Sequence, residues 1–311
     1  MDTIYYPNDS LIDGSYAATI GFFDGVHRGH RHVIGQLREE AGRRGLRTMV
    51  VTFERHPRLV VNPSWKPSLL STLEEKVALI GQTGIDVLVV LRFDEQMARL
   101  SARQFMAQVL KERLHVDLLL TGYDNRFGHN REETFDDYAA YGHEIGMSVV
   151  AGTPFDEGGS HISSSRIRQL LAEGKVGEAA TCLGYHYTIG GQVVHGEQMG
   201  RTMGFPTANL RPGEATKLIP RNGAYAVLAS IDGGPLWRGM TNIGVRPTFD
   251  GEKQTMETYI LDASGNFYGK PISIQFVSWL RDEQAFSSPE ALARQLECDR
   301  QNTENILSHC L

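Results

Sequence analysis

"TIGFFDGVHRGH", residues 19–30, is the stretch whose reading decides the fold. An apolar, β-like run leads into an Asp-Gly turn, and His27 and His30 then stand three residues apart where a helix should begin. Two histidines at short spacing suggest a metal. Two histidines beside a glycine-bearing helix start suggest a phosphate, because the first N–H groups of a helix lack intrahelical partners and attract anions. The metal reading lacks company: catalytic zinc usually takes three protein ligands, and no glutamate or third histidine stands at a spacing that completes a known set. An isolated pair of this kind is equally well read as two polar residues opening a helix.

Working outward, the first 180 or so residues alternate apolar runs with helical patterns. "YAATIGFF", "LRTMVVTF", "IDVLVVLRF", "VDLLLTG" and "MSVVAG" read as strands, mostly apolar throughout, as a parallel sheet covered on both faces requires. Between them lie "HVIGQLREEA", with Val33, Ile34, Leu37 and Ala41 on one face, then "STLEEKVALIGQ", "ARQFMAQVLKERL" and "EETFDDYAAYGHEIG". Ser71 and Glu74 stand in capping-box spacing at the head of the second of these helices. Such a series predicts a Rossmann-like, doubly wound parallel sheet, which binds ligands beyond the carboxyl ends of its strands. His27, Asp124 and the loop before Ser163 each follow a predicted strand and are expected along one edge.

After two short helical segments, "SSRIRQLLAEG" and "VGEAATCLG", the pattern changes near Tyr185. "YTIGGQVV", "AYAVLASI", "LWRGMTNIG", "METYILD" and "PISIQFV" are short strands punctuated by glycine and proline, which predicts a closed antiparallel β-barrel. "SPEALARQLECDRQNTENIL" closes the chain as a helix. The domains are therefore expected at 1–184 and 185–311.

Composition narrows the function. The 311 residues are 41% hydrophobic and 22% charged, with net charge −6, which argues against broad nucleic-acid or anionic-membrane binding but leaves room for a locally positive nucleotide pocket. Three scattered cysteines, Cys182, Cys298 and Cys310, make neither a disulfide framework nor a cysteine metal site. The amino terminus lacks the pattern of a signal peptide and no apolar run reaches membrane length, so a cytoplasmic protein acting on small molecules is expected. The oligomeric state is left open.

Further along, "ISSSRIR", residues 162–168, opens a helix with three hydroxyls and two guanidinium groups. "GFFDGVHRGH" with "ISSSRIR" resembles the HxGH and ISSTxxR signatures of the nucleotidylyltransferases. More narrowly, "TIGFFDGVHRGH", "TFERHPR" and "GYDNRFGHNR" are similar to the adenylyltransferase module of bacterial bifunctional riboflavin kinase/FAD synthetases. The resemblance implies that His27, His30 and the helix amides bind ATP phosphates, that Ser164, Ser165 and Arg168 hold the leaving pyrophosphate, and that Asp124 and Arg126 lie at the flavin end. The family pattern there reads Gly-x-Asp-Phe-Arg-Phe-Gly; in this chain Asn125 replaces the first Phe.

The second half carries its own resemblance. "GRTMGFPTANL", residues 200–210, could be a loop ahead of an edge strand, but "NGAYAV", "TNIGVRPTF", "METYILD", "YGKPISIQF" and "LRDEQAF" follow in the order of the riboflavin kinase module. That likeness implies that Gly204, Thr207 and Asn209 bind nucleotide, that Thr207 and Asn209 coordinate Mg²⁺, that Glu257 is the base and that Arg281 contacts flavin. No Walker-type GxxxxGK[ST] run occurs in the chain. Strand alternation puts Glu257 with Tyr259 and Leu261, and leaves open which face is solvated.

Elementary chemistry separates the two implied reactions. The phosphate of FMN is already an anion, so adenylylation needs no base, only relief of repulsion: at 4 Å and an effective dielectric near 20, a pair of like charges costs about 4 kcal/mol. A helix N-terminus supplies only ~0.3–2 kcal/mol, so cations must assist. A flavin hydroxyl must instead lose a proton, which a carboxylate accepts late in a loose phosphoryl-transfer transition state. Two further readings remain: a riboflavin kinase with a diverged or inactive adenylyltransferase half, and a non-catalytic flavin sensor.

Overall fold

A computed structural model describes residues 1–9, 13–123, 126–129, 132–155, 162–195, 205–248, 251–263 and 265–310. The chain divides into two compact units, Met1–Ser164 and Ser165–Leu311.

The first unit is built on strands β1 (Asp2–Tyr6), β2 (Tyr16–Ile20), β3 (Arg47–Phe53), β4 (Val87–Leu91), β5 (Val116–Thr121) and β6 (Ser148–Ala151), in the order β1-β4-β3-β2-β5-β6. Every pairing is parallel. Successive residues of one strand enter opposite cores: Ala18, Met49, Val51, Val87 and Val89 join one cluster, Ala17, Val50, Leu88 and Leu118 the other. That is why these strands are apolar throughout rather than alternating. Helix α1 (Arg28–Arg44) buries Ile34, Leu37 and Ala41, as its spacing predicts, and stops at Gly45 with φ 65°. The strand order reverses direction at β2, with β3 and β4 on one side and β5 and β6 on the other. The carboxyl ends of β2, β5 and β6 thus share one edge, at the switch point where such sheets bind ligands.

One local expectation needs correction, and one strand was not anticipated from the sequence. The capping box of α3 (Leu73–Gly81) lies one residue later than Ser71 and Glu74: the Thr72 hydroxyl accepts from Glu75 N at 3.2 Å, and the Glu75 carboxylate accepts from Thr72 N at 3.0 Å. Ser71 is buried and serves the turn described below. "DTIYY" at the amino terminus, read only as lacking a signal, is edge strand β1, paired with β4 from Asp2 to Tyr6.

The second unit is a closed barrel of β7 (Thr188–Val194), β8 (Thr207–Pro212), β9 (Gly223–Ile231), β10 (Leu236–Thr248), β11 (Gly251–Ile260) and β12 (Pro271–Asp282), ordered β10-β11-β8-β7-β12-β9, with all its pairings antiparallel. Helix α9 (Pro289–Leu307), capped by Ser288, packs Leu307 on Ala226 and Leu228, so β9 is covered on its outer face as well. Helices α7 (Ser164–Ala172) and α8 (Val176–Leu183) lead into the barrel. Leu171 O accepts from Arg221 N at 3.0 Å, and Gly174, between the helices, lies against the Trp279 ring. These contacts explain why the compact units part at Ser164, some twenty residues before the change of sequence pattern at Tyr185.

Gly174 has φ +79°, and an added Cβ would stand 2.5 Å from Trp279. Backbone strain and overpacking therefore act together, and Gly174→Ala is expected to lower the stability of the barrel unit by about 1–3 kcal/mol. Urea unfolding of the full chain monitored by tryptophan fluorescence checks this; an unchanged midpoint would contradict the packing of the helix pair.

Candidate active sites

The chain leaves β2 through a short 3-10 turn, Asp24–Val26, and enters α1 at His27. Phe23 has φ 53°, Gly25 76° and Val26 38°. A left-handed conformation is rare for any side chain and most unfavourable for a β-branched one, at roughly 1–3 kcal/mol per residue, so the surroundings must impose it.

They do so with buried and half-buried polar links. The Asp24 carboxylate accepts from Leu70 N at 2.9 Å and Ser71 N at 3.2 Å, and the Ser71 hydroxyl accepts from Gly25 N at 3.0 Å. The Lys76 ammonium donates to Phe22 O at 3.2 Å and Phe53 O at 2.9 Å, and Thr52 donates to Phe22 O at 3.1 Å. From the second motif, the Ser164 hydroxyl donates to Asp24 O at 3.1 Å. Gly29 lies close to the His27 ring and Ile162 O, at 3.2 and 3.5 Å from a Cβ it lacks, so a side chain there would press on both.

His27 is the N-cap of α1, its Nδ1 accepting from His30 N at 3.3 Å. The two rings stack at 3.6 Å with 17° between planes, and Phe23 meets His30 edge-on at 5.2 Å. Burial first, then the charges of His27 and Lys76, hold the His30 pKa well below the usual histidine range. His30 is thus a neutral imidazole at pH 7, a donor through one nitrogen. Asp24, the turn's one carboxylate, is directed at the 70–71 backbone and is no base for an incoming group.

The remaining predicted residues of this half fall as follows. Asp124 lies outside the described residues; Arg126 is exposed, beside Phe127, whose ring stacks on Tyr138 at 4.4 Å. Ser165 is exposed and Arg168 half-buried on α7, both in the second unit.

In the barrel, pairing settles what alternation left open. Met256, Thr258 and Ile260 of β11 and Ala208 and Leu210 of β8 are buried, so Glu257, Tyr259, Thr207 and Asn209 share the other face. Glu257 pairs with Asn209 and with Asn242, and Tyr259 with Thr207. The Thr207 hydroxyl lies 3.4 Å from Glu257 Oε2. A cavity of about 220 Å³ opens on this face, between the barrel wall and α9, lined by Thr207, Glu257, Tyr259, Phe205, Leu292 and Leu296 among others. Gly204 lies outside the described residues.

Arg281 lines the cavity too, but its guanidinium is clamped by Asp299 of α9, with Nη2–Oδ2 at 2.8 Å and Nε–Oδ2 at 3.0 Å. Asp299 is 3% exposed and accepts also from Gln295 at 2.9 Å. Lys76, Asp24, Tyr259 and Asp299 were not anticipated as parts of either site. For Lys76 a signal existed: it shares the apolar face of α3 with Leu73, Val77 and Ile80.

Fold and sites together define a two-unit transferase, a switch-point sheet ahead of a barrel with a carboxylate-bearing wall. Comparison with known families agrees: the model for FAD synthetase matches residues 10–166 and that for riboflavin kinase residues 183–307. The chain is 39% identical to the bifunctional riboflavin kinase/FMN adenylyltransferase of Escherichia coli K12 over 281 residues, covering 90% of this chain and 89% of that one. It is 38% identical to the protein of that name from Listeria monocytogenes over 309 residues, 97% of each, and 36% identical to that of Bacillus subtilis over 298 residues, 93% and 92%. The chain belongs to the bifunctional riboflavin kinase/FMN adenylyltransferase family. A crystal structure described as a macrolide-efflux protein from Streptococcus pneumoniae superposes with TM-score 0.89 at 30% identity, covering 98% of this chain and 99% of that one. Among the described residues no helix is long and apolar enough to cross a membrane.

Breaking a buried ion pair strands the surviving charge, at about 3–5 kcal/mol. Asp299→Ala should therefore destabilise the barrel by that order and loosen α9, seen as faster amide exchange in residues 289–307. Retained protection there would contradict the bracing role of the pair.

Proposed function

We propose that the chain performs two successive ATP-dependent transfers, phosphorylation of riboflavin to FMN in the barrel and adenylylation of FMN to FAD with release of pyrophosphate in the amino-terminal half, with roles assigned as follows. The observation that carries the division is where each half keeps its carboxylate. Asp24 faces the interior and is spent on backbone amides, while Glu257 faces a cavity beside Thr207 and Asn209.

In the amino-terminal half the attacker, a flavin phosphate, brings its own charge. His27 and His30 at the start of α1 receive the ATP phosphates, with the positive end of the helix dipole behind them. Ser165 and Arg168 take the pyrophosphate, and Ser164, through Asp24 O, braces the turn. Asp124 and Arg126 serve the flavin end.

In the barrel, Glu257 accepts the proton of the ribityl 5′-hydroxyl as the bond to the γ-phosphorus forms. Thr207, Asn209 and Glu257 form an all-oxygen set on one face, with the Thr207 hydroxyl 3.4 Å from the carboxylate, which suits a hard divalent cation. Thr207 and Asn209 would hold Mg²⁺, together with substrate phosphates. When bound, the ion neutralises phosphate charge. Gly204 serves the nucleotide. Arg281, held by Asp299, positions the wall of the cavity against the flavin. Three free cysteines suit a reducing compartment, and we place the enzyme in the cytoplasm.

The purified chain with riboflavin, ATP and Mg²⁺ should yield both FMN and FAD by chromatography. FMN alone would favour a kinase with an inactive adenylyltransferase half, and unchanged riboflavin a sensor. Glu257→Gln is expected to cut FMN formation by about 10²- to 10⁴-fold, while adenylylation of supplied FMN is unchanged. Equal loss of both reactions would reject the assignment of Glu257.

A further inference from the structure

We propose that Lys76 is a positioning residue for adenylyl transfer: its buried ammonium ties the ends of β2 and β3 together beneath the turn that carries His27 and His30, and holds that turn in the shape that receives the phosphates. The inference rests on reading the amino-terminal half as the adenylyl-transfer site.

Lys76 is 2% exposed, on the face of α3 that also buries Ile80. A lysine in an apolar helix face is costly to bury, and a methionine of similar shape would fill the space without a charge. The ammonium is therefore retained for what it holds. It donates to Phe22 O and Phe53 O, the carbonyls at the exits of two neighbouring parallel strands, and lies 4.0 Å from the Phe22 ring centroid. Asp24, two residues beyond Phe22, is the carboxylate whose field acts on it. Cation and anion thus bracket Phe23, the first left-handed residue of the turn.

The titratable and charged groups facing Lys76 are Asp24 on the turn and His30 on α1, with His27 stacked on His30 and His56 packed against Phe22 at 4.5 Å. At neutral pH Lys76 supplies beneath the turn the positive charge that a neutral His30 does not.

The sign of its pH dependence separates a positioning role from a merely structural one. Burial pushes the Lys76 pKa down to about 8, against the opposing pull of Asp24. From there up to the ordinary lysine range the folded chain binds fewer protons than the unfolded one, so this group makes stability rise with pH. If Lys76 only supported the fold, its deprotonation would leave activity intact. If its charge positions the turn, adenylylation falls as pH rises through about 8 while this group's own contribution to stability does not fall.

The test uses the full chain and its Lys76→Met and Lys76→Arg variants. It reads kcat/KM for adenylylation of supplied FMN from about pH 6.5 to 10, with riboflavin phosphorylation on the same samples as a control. Expected are an alkaline loss in the wild type, its displacement to higher pH in Lys76→Arg, and at least a roughly tenfold loss in Lys76→Met at neutral pH with phosphorylation unchanged. A Met variant that adenylylates at the wild-type rate, or alkaline limbs that coincide in wild type and Lys76→Arg, would overturn the inference alone. Should the Met variant not fold, the limbs decide; should neither variant fold, a wild type without alkaline loss overturns it. A wild type that makes no FAD from FMN would overturn the site reading first, and this inference with it.

Discussion

The amino-terminal half depends on a turn that would not keep its shape unaided. Phe23 and Val26 sit in left-handed backbone with side chains attached, and a β-branched residue is least at ease there. What imposes the conformation is a ring of buried and half-buried polar links reaching in from β3, from the segment before α3, from α3 itself and from Ser164. The result directs a helix N-terminus and two stacked histidines at the sheet edge where the strand order reverses. Strain of this kind, fixed during folding, spares the site from reorganising when charge arrives, which is where electrostatic catalysis gains most.

The barrel solves a different problem with different parts. An alcohol must be relieved of a proton, and the β8–β11 pairing puts Glu257 against Asn209 and one step from Thr207 on a wall that α9 encloses. The Arg281–Asp299 pair holds that helix to β12. On the roles proposed for these residues, each half is organised by the charge its reaction lacks: donors and cations where two anions meet, a carboxylate where a neutral hydroxyl attacks. Both proposed sites lie outside the cores, one at a sheet edge and the other on an outer barrel wall, which leaves both cores free to be ordinary.

The architecture was legible because burial on two faces leaves a plain mark: β2 and β4 are buried at every position, and their apolar runs are unbroken. β1 left a fainter mark, since an edge strand buries only one of its five residues fully. Glu257 and its partners could be named from motif resemblance, yet which face of β11 they occupy required the closed barrel and α9. Lys76 left a mark in the apolar face of α3, but a lysine reads as solvated until the carbonyls that receive it are known. Asp299 lies on a helix 42 residues beyond Glu257 in sequence, and only folding of α9 onto the barrel brings it to the cavity that Glu257 lines. Ser71 shows the same limit on a smaller scale, a capping residue by spacing that the structure spends on Gly25 and Asp24.

The most direct test of this account is a crystal structure of the full chain with Mg²⁺ and a non-hydrolysable ATP analogue at saturating concentration. Two analogue molecules per chain are expected, one with its phosphates on the His27–His30 turn and one with its phosphates at Thr207 and Asn209. A turn left empty, or phosphates bound with Phe23 and Val26 relaxed out of left-handed backbone, would contradict the claim that a prefixed, strained turn is what receives the first nucleotide.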